Sequence, residues 1–194
     1  MSIGIYVHVP FCLTRCGYCD FNAYAGLEHL RSPYVRALVR EAELAAPGWE
    51  QEEVRSVFLG GGTPTTLPAD DLAAVLAALR ERYRLAPGAE VTVEANPDTV
   101  DAPKLSALRE AGVTRLSMGA QSFDPAVLAS LERVHGPDAV RRAMEAAREA
   151  GFGNVNLDLI YGAQGETLAS WERTLREAIA LGAEQQMEEA GHAH

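Results

Sequence analysis

Cys12, Cys16 and Cys19 stand within eight residues of one another, and the chain has no other cysteine. Their C-x3-C-x2-C spacing and odd count do not suit a disulfide framework, which needs pairs. Thiolates are soft ligands that select iron–sulfur clusters and zinc. Three of them can hold three irons of a [4Fe–4S] cluster and leave the fourth open. An open iron can bind a small ligand and pass it an electron, the arrangement that radical chemistry with S-adenosylmethionine (SAM) needs. Two other readings of these residues stay open. His8 and the three cysteines make a Cys3His set, and structural zinc takes four such ligands. Apolar packing of buried thiols is the third.

The elements that would position this loop follow from hydrophobic patterning. Short β-like runs at 3–9, 54–59, 90–94, 114–119 and 154–161 alternate with helical runs. Ser32 is expected to cap a helix over 33–46, and the stripe Leu72, Val75, Leu76, Leu79 and Tyr83 predicts a helix over 68–83. Asp101 and Asp124-Pro125 open short helices, residues 138–150 form another with Gly151 at its C′ position, and residues 167–181 form the last. Strands separated by helices predict parallel βα units. The expectation is an α/β fold, a partial (β/α) barrel of about five units over residues 1–182. Residues 183–194 show no strand pattern and are expected to form an irregular tail, with His192 and His194 as chain-end residues and not metal ligands. No G-x-G-x-x-G follows the first strand, which removes the main argument for a dinucleotide fold.

In parallel barrels chemistry gathers at the C-terminal strand ends. The cysteine loop follows the first run. Gly60-Gly61-Gly62-Thr63 follows the second, where glycines let the backbone approach a ligand closely. The third run ends in Glu94, a carboxylate able to accept from an ammonium group. The fourth ends near Gln121, which offers two donors and an acceptor, with Arg133 just beyond. The fifth carries Asn156 and Asp158 in an apolar stretch, where a carboxylate needs a partner. An internal polar network bracing the barrel and a site for a zwitterionic ligand both fit such residues.

Composition narrows the classes. The chain has 194 residues, 47% hydrophobic and 23% charged, within the range of a single globular domain. No run of apolar residues is long enough to span a membrane, and the first residues lack the basic n-region of a signal peptide. Clustered reduced cysteines with no export signal lead to an expected cytoplasmic location. A net charge of −10 argues against non-specific nucleic-acid binding.

Read together, Tyr6-Val7-His8-Val9-Pro10-Phe11-Cys12 with Cys16 and Tyr18-Cys19, Gly60 to Thr65, Glu94-Ala95-Asn96-Pro97, Arg115 to Ser122 and Asn156 to Gly162 resemble, in order, the motifs of the oxygen-independent coproporphyrinogen oxidase family of radical SAM proteins. The resemblance covers roughly residues 3 to 182. It implies a barrel of the radical SAM type, with Cys12, Cys16 and Cys19 ligating a [4Fe–4S] cluster. It also implies that Tyr6, Tyr18, Gly61, Gly62, Thr63, Glu94, Gln121, Arg133 and Asp158 hold SAM. In the family an electron passed to the sulfonium releases a 5′-deoxyadenosyl radical.

Two branches of the family differ near the cluster. The oxidases, which convert propionates of coproporphyrinogen III to vinyls, have a further cysteine two positions after the third. Here Cys19 is followed by Asp20-Phe21, as in the heme chaperone branch. That branch implies heme as a ligand, a heme-acceptor protein as partner, and an electron donor such as a flavodoxin or ferredoxin. Gln164 stands where the family usually has proline. The sequence is also expected to stop where a sixth strand begins, before the family's C-terminal domain.

Overall fold

The computed structural model describes residues 2–189, so His192 and His194 lie outside the described residues. Six strands, β1 (Ser2–Val9), β2 (Glu53–Gly61), β3 (Arg84–Ala95), β4 (Arg115–Gln121), β5 (Asn154–Tyr161) and β6 (Glu184–Glu189), form one sheet in sequence order. Every neighbouring pair is parallel. Helices α1 (Arg31–Ala45), α2 (Ala69–Arg82), α3 (Ala102–Glu110), α4 (Pro125–Ser130), α5 (Pro137–Glu149) and α6 (Leu168–Ala180) fill the crossovers. The expected α/β partial barrel is therefore present. No helix among the described residues is long and apolar enough to cross a membrane.

Strand alternation explains both the core and the site. Val91 and Val93, Leu116 and Met118, and Val155, Leu157 and Leu159 are buried in one core. They share it with Leu72 and Leu76 of α2, Leu105 and Leu108 of α3, and Val140 and Met144 of α5. Each such leucine contributes about 1.5–3 kcal/mol by leaving water. The residues between them, Thr92 and Glu94, Ser117 and Gly119, Asn156 and Asp158, fall on the opposite face because side chains alternate along a strand. Register then groups them: Glu94 lies beside Ser117, Ser117 beside Asn156, and Gly119 beside Asp158.

Helix ends follow the expected chemistry with one exception. The Asp101 carboxylate accepts from the Lys104 N–H at 2.8 Å, and Asp124 accepts from the N–H groups of Ala126 and Val127. Thr167 and Ser170 form a capping box at α6. Gly151 and Gly182 take φ of 81° and 63°, the left-handed turn that ends a helix. Ser32, expected as a cap, instead lies inside α1. A 3-10 turn over Glu28–Leu30 runs directly into that helix and starts it earlier, with no side-chain cap.

Two strands also depart from expectation. β3 begins at Arg84, six residues before the apolar run that suggested it, because Arg84 and Leu85 pair with Glu53 and Val54 before the chain loops out and resumes at Glu90. Residues 184–189, expected to be irregular, pair with β5 from Asn156–Glu184 through to Tyr161–Glu189. A β5 edge presents a row of backbone donors and acceptors that any extended segment can satisfy, so no apolar pattern is needed.

Lys104, the chain's one lysine, ties two of the turns beneath the site. Its Nζ donates to the carbonyls of Thr65 at 2.5 Å and Thr99 at 3.1 Å, joining the turn after β2 to the turn after β3. Burial lowers its pKa. Lys104→Met is expected to cost about 1–3 kcal/mol, since it strands two carbonyls. Urea denaturation measures this, and a variant as stable as wild type would show that the tie contributes nothing.

Candidate functional site

The loop that carries the cysteines is closed at its base by backbone bonds. Cys12 N–H donates to Tyr24 O at 3.0 Å, and Tyr24 N–H donates to Pro10 O at 2.7 Å. The glycine turn then extends the β1–β2 ladder, with Gly62 N–H donating to Val9 O at 2.9 Å and Thr63 N–H to Phe11 O at 2.7 Å. This seats the two loops side by side, and places Cys12 Sγ 3.6 Å from Thr63 Oγ1. A Cβ on Gly62 would lie 2.7 Å from the Phe11 carbonyl oxygen, so only glycine permits this approach.

A cavity of about 440 Å³ opens at these strand ends. Cys12, Cys16, Cys19, Tyr18, Gly61, Gly62, Thr63, Glu94, Gln121, Arg133 and Asp158 all line it. The structure thus brings these residues to one place. Tyr6 is the exception: it is 58% exposed and does not line the cavity. Its ring stacks on Phe58, its register partner, and its hydroxyl donates to His8 Nδ1 at 3.0 Å. His8 Nε2 in turn donates to the Asn22 carbonyl at 2.9 Å, so the pair braces the cysteine loop from outside.

That arrangement bears on the zinc reading. A carbonyl can only accept, so His8 carries its proton on Nε2 and its Nδ1 lone pair receives the Tyr6 hydroxyl. Both nitrogens are engaged by protein groups, and His8 does not line the cavity. Among the described residues no three His, Cys, Asp or Glu side chains converge on a single ion. Structural zinc needs four ligands around one metal, whereas a cluster spreads its thiolates over separate irons. Three free, half-buried thiols facing one cavity fit the cluster.

Charge in the cavity is arranged by sign. Glu94 accepts from the Gly61 N–H at 2.9 Å, and Asp158 accepts from Ser117 Oγ at 3.1 Å and Asn156 Nδ2 at 2.6 Å. Arg133 donates to Cys16 Sγ at 3.5 Å, Tyr18 Oη at 3.4 Å and the Gly119 carbonyl at 3.2 Å. Its Nε is buried and has no protein partner. Burial pushes the Cys12 thiol and the Tyr18 phenol up from their usual pKa values. Gln121 adopts φ of 64°, at a bulge where the β4–β5 register shifts. A left-handed glutamine is strained, and a bulge re-aims a side chain, here toward the cavity.

Sequence reasoning missed two contributors. Ser117 lines the cavity and bonds Asp158. His135, two residues beyond Arg133, is only 3% exposed and bonds it. A histidine at i+2 from a site arginine, in a stretch with no helical pattern, was the available signal.

Comparison with known proteins places this geometry. The model of the radical SAM superfamily matches residues 6–178. The chain is 46% identical over 184 residues to heme chaperone HemW of Mycobacterium tuberculosis (strain H37Rv), covering 92% of this chain and 47% of that protein. It is 35% identical over 195 residues to the oxygen-independent coproporphyrinogen III oxidase of Bradyrhizobium diazoefficiens, covering 100% of this chain and 43% of that one. The solved structure of coproporphyrinogen III oxidase (HemN) from Escherichia coli superposes with a TM-score of 0.91 at 32% identity, over 98% of this chain and 44% of that one. The chain thus spans about half the length of the curated relatives it matches. Its matched motifs, parallel fold and clustered cysteines make it a member of the radical SAM superfamily, in the group of HemW- and HemN-like sequences.

Proposed function

We propose that this chain holds a [4Fe–4S] cluster and SAM as part of a heme chaperone of the HemW kind. The observation that carries the reading is the convergence of three free cysteines, Glu94, Gln121, Arg133 and Asp158 on one cavity. Cys12, Cys16 and Cys19 would ligate the cluster. When bound, the cluster and SAM supply one-electron chemistry at the sulfonium. The chain's own residues bind and orient. Arg133 offers a cation to a carboxylate, while Glu94 and Asp158 offer acceptors to an ammonium group and to hydroxyls. Gly61 and Gly62 allow close approach of a ligand to the backbone. Thr63 sits against Cys12, and Tyr18 and Cys16 share the Arg133 guanidinium.

Phe21 favours the chaperone over the oxidase. It stands where the oxidases carry a further cysteine, and it is 63% exposed at the cavity rim. The resemblance to HemN supports coproporphyrinogen III oxidation as the second reading. Heme titration, with an anaerobic assay for vinyl products from coproporphyrinogen III, separates the two. In a protein extended to the relatives' full length, heme binding without vinyl formation is expected, and vinyl formation would overturn the chaperone reading. An electron donor such as a flavodoxin or ferredoxin, and a heme-acceptor protein, are the partners this function needs.

SAM binding has its own test. SAM is expected to perturb the EPR signal of the reduced cluster. Gln121→Ala and Asp158→Ala should weaken that response while iron content stays unchanged, because each removes a hydrogen bond to a charged ligand worth on the order of 1.5–3 kcal/mol. Wild-type responses from both would refute the pocket assignment.

A further inference from the structure

His135 is buried between the element that carries Gln121 and the side chain of Arg133. Its Nε2 lies 3.1 Å from the Ala120 carbonyl, and its Nδ1 lies 3.3 Å from Arg133 Nη2. The two partners fix the tautomer. A carbonyl only accepts, so Nε2 carries the hydrogen and donates it; a guanidinium only donates, so Nδ1 is bare and accepts. The same Arg133 Nη2 also donates to the carbonyl of Gly119, one residue before Ala120. Arg133 and His135 therefore grip two consecutive carbonyls of β4 directly ahead of Gln121, where the register shifts and the backbone turns left-handed.

We propose that His135 is a positioning residue for SAM: as a neutral acceptor it holds the Arg133 guanidinium in the cavity, and through Ala120 it fixes the bulge that aims Gln121. The proposal rests on the SAM-site reading above. Several observations agree with it. With Nη2 occupied by Gly119 and His135, Arg133 keeps Nη1 toward Cys16 and Tyr18 and leaves its Nε free of protein partners. Burial, and then the Arg133 cation, lower the pKa of His135, which keeps the ring neutral near neutral pH. A protonated ring would present a donor to a donor, so the acceptor role needs the neutral form.

A double-mutant cycle on anaerobically reconstituted protein tests this, reading iron content and the SAM concentration that half-saturates the EPR change. His135→Phe is expected to keep its iron and to weaken SAM binding about tenfold. His135→Gln, which retains an acceptor and a donor, should recover most of that loss. In an Arg133→Met background His135→Phe should add little, since both act through one guanidinium. Additive losses, or a folded His135→Gln no better than His135→Phe, would overturn the proposal and leave His135 a packing residue. If Arg133→Met, Gln121→Ala and Asp158→Ala all bind SAM normally, the SAM-site reading fails and the proposal with it. Should His135→Phe fail to fold, ring 15N shifts of wild-type protein decide: protonated Nε2 with bare Nδ1 is expected, and a proton on Nδ1 would rule out acceptance from Arg133.

Discussion

Serine at any one of positions 12, 16 or 19 is expected to abolish a stable cluster. Wild-type protein reconstituted anaerobically should bind about four irons with matching sulfide, as a [4Fe–4S] centre requires. The effect is large because each thiolate would hold a different iron, so none of the three can cover for another. Serine is nearly isosteric, but its oxygen is a hard ligand that remains protonated at neutral pH. The fold should survive, since the loop is closed by backbone bonds at Cys12 N, Tyr24 N and Thr63 N and not by the sulfur atoms. Iron and sulfide quantification with the anaerobic absorption spectrum measures the result. A colourless wild-type protein carrying one zinc would refute the assignment, as would a serine variant that keeps a full complement of iron.

The second large effect is expected at Gly61. Its φ of 110° lies where L side chains are strained, and a Cβ there would run into the His8 ring and sit 3.1 Å from Tyr6 Oη. Strain of about 1–3 kcal/mol and overpacking of about 1–3 kcal/mol add to roughly 2–6 kcal/mol for Gly61→Ala. That is a large part of the roughly 5–15 kcal/mol that stabilises a typical domain. The His8 ring cannot yield freely, because both of its nitrogens are bonded. Gly26 is the control: its φ is 77°, but nothing lies within 4 Å of a Cβ placed there. Gly26→Ala should therefore cost only about 1–2 kcal/mol, from the backbone alone. Denaturant titration of both variants gives the comparison. Equal losses would mean that the close approach of Gly61 to His8 has no energetic weight.

Local chemistry made much of this protein legible in the sequence. The C-x3-C-x2-C spacing narrowed the cysteines to an iron–sulfur, zinc or packing role and disfavoured disulfides, because ligand softness and number belong to residue types. The alternation in Val91-Thr-Val-Glu94 and Val155-Asn-Leu-Asp158 separates the side chains that meet the helices from those on the opposite face, Glu94 and Asp158 of the cavity among them, because the pleat has a period of two. Asp101 and Asp124 announced their helices, since a cap is satisfied within a few residues of itself. Other features depend on partners distant in the chain. β6 exists because β5 offers it an edge, and its own sequence carries no pattern that would reveal it. Tyr6 shares a motif with the cysteines, yet its hydroxyl turns to His8 and its ring stays outside the cavity. The positioning role of His135 needs Ala120 and Arg133 brought to either side of one imidazole, and its tautomer is set only by that contact. Residue type and short spacing thus determined the chemistry available. Tertiary packing alone decided which groups face one another, because a hydrogen bond spanning many residues of sequence exists only after the sheet has assembled.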